Sequence, residues 1–497
     1  MKLHQLFSFF NFKSLNSEQK AWLEAEVAGI FFDARQVVPN SVFVAIKGHE
    51  KDGHDYLEQA AQNGAMVLVV ENKSKVPAQY PYIVVEYADT RRLLDQLAAR
   101  FYHFPSQELF CFGVTGTNGK TSITYILEHI LNANRKLTGV MGTVNHRVGE
   151  RIWASQMTTP DPITLQGRLR EFVEAGAVCA ALEVSSHALD QKRVESVNFN
   201  TAIFTNLTLD HLDYHQNMKN YFAAKQRLFT DLMMESLKRP QFAVINTDDS
   251  YGRKLKVSAD TICWTYGQKE SDFQFKILNM DFNQTEFQLK TNFETLKVKV
   301  PLCGVHTIYN VVASAAAALS CGVSLQQSFR ALETFPGVPG RLQKVESASL
   351  KTVFVDYAHT PDALENVLKS LVDIREHSKL KSRILTVFGC GGDRDQSKRP
   401  LMGNIAARFS DRVYITSDNP RTEDPDKIVE QIAQGVPVEF KHFTVEVDRE
   451  KAIQQALAAA QDGDVILIAG KGHEDYQILG TQKIHFSDFE MAKKYLV

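Results

Sequence analysis

Residues 113–122 read Gly-Val-Thr-Gly-Thr-Asn-Gly-Lys-Thr-Ser: three glycines, then a lysine followed by two hydroxyl side chains. An apolar run precedes them and a helical pattern follows, the setting a phosphate-binding loop requires. Glycines let backbone N–H groups turn inward around phosphate oxygens, and the helix N-terminus adds positive potential. Lys120 would neutralise β- and γ-phosphate charge, Thr121 would hold a magnesium ion, and Gly116, Thr117, Asn118, Gly119 and Ser122 would complete the cradle. The strict G-x-x-x-x-G-K-[ST] spacing is not met, because position 114 is Val. No NKxD guanine signature follows, which favours ATP, but the loop alone leaves motor, GTPase, kinase and ligase chemistry open.

Further along, Glu183 ends a strand-like run in Glu-Val-Ser-Ser-His-Ala-Leu. Ligands bind at the carboxyl edge of α/β sheets, and a carboxylate there suits magnesium, which prefers oxygen donors. Residues 206–215, NLTLDHLDYH, form another strand end dense in Asp and His. Such a cluster either ligates a metal or caps the next helix, and Asp213 and His215 fit caps. Lys225 closes YFAAK (221–225) and by itself reads as a solvated helix residue.

The elements that must hold these groups alternate strand and helix. Apolar runs lie at 42–46, 65–70, 109–116, 179–184, 201–206, 242–246, 352–358, 383–389, 411–419 and 464–472. Amphipathic stretches such as TSITYILEHILNAN and DALENVLKSLVDIREH follow several of them. The pattern predicts an α/β fold with mostly parallel sheets. The 497 residues call for about three domains. Pro- and Gly-containing stretches at 101–107 and 335–341 place the divisions, giving domains 1–103, 104–336 and 337–497. Residues 268–300 alternate polar and apolar, as antiparallel strands attached to the middle domain would.

With 56 basic and 58 acidic residues the net charge is −2, which argues against a nucleic-acid or anionic-membrane partner. Six scattered cysteines without a CxxC pair fit free thiols in a reducing compartment. The N-terminus, MKLHQLFSFFNFKSL, lacks a small-residue cleavage site and reads as a first helix or strand. The most apolar run, 311–319, is too short to cross a bilayer. A soluble, cytoplasmic protein, a monomer acting on small molecules, is expected.

TGTNGKT (115–121), TTPD (158–161), EVSSHAL (183–189), NLTLDHLDYH (206–215) and YFAAK (221–225) together resemble the Mur ligases. The resemblance continues through PGR (339–341), DYAHTPD (356–362), FGCGGDRDQSKRP (388–400), SDNPRTEDP (417–425) and AGKGHEDYQ (469–477), in order and over nearly the whole chain. It implies three α/β domains: a UDP-binding one, a central P-loop ATPase-like sheet, and a Rossmann-like one that brings in an amino acid. It implies ATP and Mg2+ as cofactors and a carbamylated Lys225, an oxygen ligand that overturns the plain reading of that lysine. His211 becomes a metal-linked residue beside Thr121 and Glu183. The implied reaction joins an amino acid to UDP-N-acetylmuramoyl-L-alanyl-D-glutamate through an acyl phosphate, with Lys120, Glu183, His211 and Lys225 as catalytic groups. Such an intermediate is labile to water, and the FPGVPGR stretch (335–341) fits a hinge for closure.

By the same resemblance, Ala34, His49, Glu50, Lys51, Thr158, Thr159, Ser185, Gln191 and Arg193 hold the muramoyl substrate. Asn310, Arg341 and Asp356 join the ATP site. For Asp356 and for His359, which lies on its C-terminal side, helix capping after a strand is the competing reading. Two departures stand out: the usual Asp-Ser-Arg is Asp33-Ala34-Arg35, and the first Asn of a Gly-x-x-Asn-x-x-Asn pattern is Thr307. Diaminopimelate-adding members carry an arginine in DNPR, here Asp418, Asn419, Pro420 and Arg421. Arg421 and Arg394 would grip the second carboxylate that lysine lacks. Glu474 would take the ammonium group, with Gly470 supplying a backbone contact. An ion pair of Arg421 with Glu423 or Asp424 is the plain alternative. The substrate implied is meso-2,6-diaminopimelate. Alternatives are a lysine-adding or other Mur ligase, a folylpolyglutamate synthetase, an ATP-binding scaffold, and a nucleic-acid translocase.

Overall fold

The computed structural model describes residues 1–10, 12, 15–48, 51–77, 82–378 and 381–496. They form two compact units, Met1–Ser271 with Ala313–Leu325, and Asp272–Val312 with Gln326–Val497. Among the described residues no helix is long and apolar enough to cross a membrane.

The first unit opens with the short helix Leu3–Leu6 and a four-stranded parallel sheet, Ile30–Phe31, Ser41–Val44, Ala65–Val70 and Ile83–Glu86, in chain order. Its strands are apolar on both faces because both are covered. Val67 and Val69 pack with Leu93 and Leu97 of helix Thr90–Phe101, while Leu68 and Val70 pack with Leu57 and Ala60 of helix Leu57–Gln62.

A larger sheet follows. Its parallel strands run Thr261–Gly267, Gln241–Asn246, Thr201–Phe204, Phe110–Thr115, Cys179–Glu183 and Thr138–Met141. The antiparallel hairpin Asn145–Val148 and Arg151–Ala154 extends its edge. Phe110–Thr115 lies between the strands ending at Glu183 and Phe204. The connection out of Phe110–Thr115 runs toward Thr138–Met141 and that out of Thr201–Phe204 toward Gln241–Asn246, on opposite sides, the arrangement that opens a ligand crevice at the carboxyl ends,.

The second unit holds three consecutive antiparallel strands, Phe273–Met280, Thr285–Lys290 and Thr295–Val300. The antiparallel reading of 268–300 is correct, and from Asp272 onward these residues share a core within this unit, Met280 and Phe282 packing with Phe354, Leu368 and Leu371. Beside them is a six-stranded sheet in the order Gln343–Lys344, Thr352–Asp356, Val465–Ala469, Ile384–Phe388, Arg412–Ile415 and Phe443–Val445, parallel except for the first strand. Helices Pro361–Ser378, Lys398–Phe409 and Pro425–Ala433 cover one face, and Arg449–Ala459 and Asp488–Tyr495 the other.

Candidate active site

The glycine-rich loop joins strand Phe110–Thr115 to helix Lys120–Ala133. Gly116 (φ 151°) and Gly119 (φ 89°) take backbone conformations that suit glycine,. A Cβ on Gly116 would stand 1.8 Å from Thr205 Oγ1, so no side chain fits. The neighbouring strand end braces the loop. Thr117 N–H donates to the Asn206 carbonyl at 2.9 Å, Asn118 N–H to Asn206 Oδ1 at 3.0 Å, and Thr205 Oγ1 to the Asn118 carbonyl at 2.6 Å. Lys120 Nζ folds back onto the Gly116 and Thr117 carbonyls at 2.9 and 2.8 Å. Thr121, 5% exposed, and Ser122 begin the helix.

Lys225 corrects the solvated reading. It lies on helix Met218–Gln226, is 1% exposed, and its Nζ donates to the same Gly116 carbonyl at 2.9 Å. Burial, and then the nearby Lys120 ammonium, push its pKa well below the usual lysine range. Two lysine side chains thus meet at one carbonyl, and among the described residues Lys225 forms no ion pair. His211 sits before helix Leu212–His215 in a left-handed conformation, φ 54°, with a half-exposed side chain. Its ring lies 4.9 Å from that of His187 and 5.9 Å from that of Tyr221, and Tyr221 also touches Thr117 Oγ1 at 3.2 Å. His215 is a buried structural residue bonded to Ser186 Oγ at 2.9 Å.

Glu183 is 2% exposed at the end of its strand. Thr143 holds both of its oxygens, N–H to Oε1 and Oγ1 to Oε2, each at 3.0 Å. Gly142 admits the carboxylate, since a Cβ there would lie 2.1 Å from Oε1. From Thr143 the network runs on to Thr158 at 3.0 Å. Thr159 Oγ1 donates to the Glu183 carbonyl at 2.7 Å and accepts from Ser185 N–H at 3.0 Å. Arg193 donates to the Thr159 carbonyl at 2.9 Å and to Gln191 Oε1 at 2.6 Å. The structure therefore brings Thr158, Thr159, Ser185, Gln191 and Arg193 together around the Glu183 strand end. Among the described residues no three His, Cys, Asp or Glu side chains converge into a metal cage. The donors present are oxygen-rich, which fits magnesium completed by phosphate oxygens.

Of the N-terminal candidates, Ala34 is buried in a short turn capped by Asp33, whose carboxylate is taken by Arg35. Lys51 is exposed. His49 and Glu50 lie outside the described residues. Asn310, Arg341 and Asp356 belong to the second unit. Asp356 accepts Leu342 N–H at 2.7 Å and Ala358 N–H at 2.9 Å, which supports a local turn-fixing role, and burial raises its pKa. Arg341 lies over the Tyr357 ring at 5.3 Å. The 335–341 stretch ends in a tight turn at Val338 and Arg341, pinned where a Cβ on Gly340 would meet His473 N at 2.3 Å.

The amino-acid candidates assemble at the carboxyl ends of strands Arg412–Ile415 and Val465–Ala469. Lys471, fully buried, donates to Asp418 Oδ1 at 3.2 Å and Asn419 Oδ1 at 3.1 Å, and lies 3.5 Å from Glu474. Asn419 Nδ2 donates to Glu474 Oε2 at 3.0 Å. Gly470 (φ 118°) stands where a Cβ would lie 3.5 Å from Asp418 Oδ2. The ion-pair alternative for Arg421 fails. Glu423 is claimed by the buried Arg399, and Asp424 caps helix Pro425–Ala433. Arg421 follows Pro420 and, among the described residues, donates to the Gly392 and Asn419 carbonyls at 2.8 and 3.4 Å. Arg394 is exposed nearby, its Cγ 3.9 Å from where a Cβ on Gly391 would stand.

Residues 114–318 match the Mur ligase middle domain, 340–472 the Mur ligase glutamate ligase domain, and 26–102 the Mur ligase family catalytic domain. The chain belongs to the Mur ligase family. The UDP-N-acetylmuramoyl-L-alanyl-D-glutamate–2,6-diaminopimelate ligase of Geobacter sulfurreducens is 42% identical over 488 residues, covering 95% of this chain and 94% of that one. The ligase of the same name from Geobacillus kaustophilus is 43% identical over 471 residues, 94% of each chain. A solved structure of a ligase of that name matches with a TM-score of 0.73 and 30% identity, over 100% of this chain and 98% of that one.

Sequence reasoning missed three residues of this Mur ligase site: Thr143, Lys471 and Tyr221. Thr143 had no signal, because its importance comes from folding back onto a strand 40 residues away. Lys471 stands inside AGKGHEDYQ (469–477), but its complete burial between Asp418 and Glu474 is a tertiary fact.

Proposed function

We propose that this Mur ligase adds meso-2,6-diaminopimelate to UDP-N-acetylmuramoyl-L-alanyl-D-glutamate, converting ATP to ADP and phosphate, in cytoplasmic peptidoglycan precursor synthesis. In this reading it acts as a monomer, with residues 1–103 serving the UDP end, 104–336 ATP and 337–497 the amino acid. The observation that carries the choice of amino acid is Arg421, a half-buried guanidinium that forms no ion pair among the described residues, Glu423 being held by Arg399.

The D-glutamate carboxylate attacks the γ-phosphate, ADP leaves, and the amine of diaminopimelate attacks the acyl phosphate and expels phosphate. The first step brings like charges together. Lys120, on a loop braced by Thr205 and Asn206, would offset that repulsion, and preorganised charge of this kind supplies much of the rate gain. Magnesium, when bound, would neutralise phosphate charge, held by Thr121, Glu183, His211 and a carbamate on Lys225. Arg193, Gln191, Ser185, Thr158 and Thr159 present a guanidinium, an amide and hydroxyls suited to the muramoyl dipeptide. Arg394 and Arg421 would take the distal carboxylate, and Glu474 the distal ammonium.

Phosphate release in the presence of ATP, magnesium and the UDP-linked dipeptide tests the proposal. Release should depend on meso-diaminopimelate and be far slower with L-lysine. Equal rates with both amino acids would refute it.

A further inference from the structure

We propose that the Arg399–Glu423 pair, anchored on the buried Arg399, is the positioning element that sets the separation of Arg394 and Arg421, and with it the preference for an amino acid bearing a second carboxylate. The inference rests on the diaminopimelate reading above. Arg399 lies on helix Lys398–Phe409 at 0% exposure and grips Glu423 with two N–H···O bonds, both 2.9 Å. It also donates to the Gly391 carbonyl at 3.2 Å. Glu423 accepts Asp393 N–H at 2.5 Å, and the Asp393 carboxylate accepts the Thr422 hydroxyl at 2.7 Å. One half-buried ion pair therefore ties the loop bearing Arg394 to the turn bearing Arg421.

Gly391 separates the two arginines: an added Cβ would stand 2.9 Å from Arg421 Nη1 and 3.9 Å from Arg394 Cγ. Neighbouring guanidinium groups repel, and bidentate recognition of a carboxylate tolerates little change in their spacing. Asp393 and Arg421 both hold left-handed conformations, φ 53° and 54°. Non-glycine residues persist there only where the surroundings over-determine them, and the cross-tie supplies that constraint. An ion pair serving stability alone would affect every substrate alike when broken. One that spaces the two arginines acts on the second carboxylate alone.

Glu423→Gln keeps shape and removes charge, while Arg399→Lys keeps charge and removes the fork. Steady-state kinetics of both variants, with ATP and the UDP-linked dipeptide saturating, compare meso-diaminopimelate with L-lysine. Loss of the spacing should raise KM for diaminopimelate roughly ten- to hundredfold. The kcat at saturation should stay within about threefold, with KM for ATP and the slow lysine rate unchanged. Equal loss with both amino acids, or an unchanged KM for diaminopimelate, would overturn the proposal. If Arg399→Lys does not fold, Glu423→Gln with a calorimetric diaminopimelate titration decides alone. Failure of the functional reading is distinguishable, because the unsubstituted enzyme would then show no preference for diaminopimelate.

Discussion

Lys225 shows how far a single residue can depart from its local reading. Its place in YFAAK resembles any exposed helix lysine, yet it is 1% exposed and shares the Gly116 carbonyl with Lys120. Only its resemblance to family residues marked it from sequence, since burial is not a property of five neighbours. If its function is to carry a carbamate, Lys225→Ala should be inactive and partly restored by short carboxylic acids. Lys225→Arg should stay inactive, because a guanidinium forms no carbamate. An active Lys225→Arg enzyme would show that positive charge suffices. Lys120→Ala should abolish turnover in a folded protein, checked by phosphate release alongside a thermal melt. Arg421→Ala should lower kcat/KM for diaminopimelate by about 30- to 1000-fold, the range for truncating a buried charged contact. The residual rate with L-lysine should change far less, and a parallel fall in both would make Arg421 structural.

Strands were legible as elements because a parallel strand buried on both faces is a continuous apolar run, as in VFVAI, AMVLVV and VILIA,. The hairpin Asn145–Val148 and Arg151–Ala154 was not, since half of its residues are polar, several are exposed, and it owes its place to pairing with Thr138–Met141. The loop–helix junction at 116–120 was legible in type but not in its bracing by the strand end at Thr205. Gly116→Ala tests that bracing. Its Cβ would collide with Thr205 Oγ1 and the backbone would be strained by about 1–3 kcal/mol. The KM for ATP should therefore rise at least about tenfold with KM for diaminopimelate unchanged. Unaltered ATP affinity would show that the loop has room to spare.

Across the molecule, charge and composition described a near-neutral protein but gave no sign of which ionisable groups are buried. Asp95, on helix Thr90–Phe101, is 0% exposed, and burial raises its carboxyl to about 7. The folded state then keeps this proton to higher pH than the unfolded chain, which releases it near 4. Stability from Asp95 is complete below the unfolded value, falls as pH rises from about 4 to about 7, and is level above that. Asp95→Asn should flatten this part of the urea midpoint-versus-pH curve and raise stability at pH 8. An identical slope in the variant would place the pH dependence elsewhere.

The order of apolar runs, the phosphate loop and the motif series belong to the sequence alone, because each depends on residue type at short spacing. They determined the α/β class, the use of a nucleotide and the family. What converges across the chain was decided by tertiary structure: Thr143 on Glu183, Lys225 on Gly116, Lys471 between Asp418 and Glu474. It also decided that Glu423 is taken by Arg399, which comes in from another helix, so that among the described residues Arg421 forms no ion pair. Short-range pattern encodes which faces must be buried, whereas the partner of a charge depends on which buried faces meet.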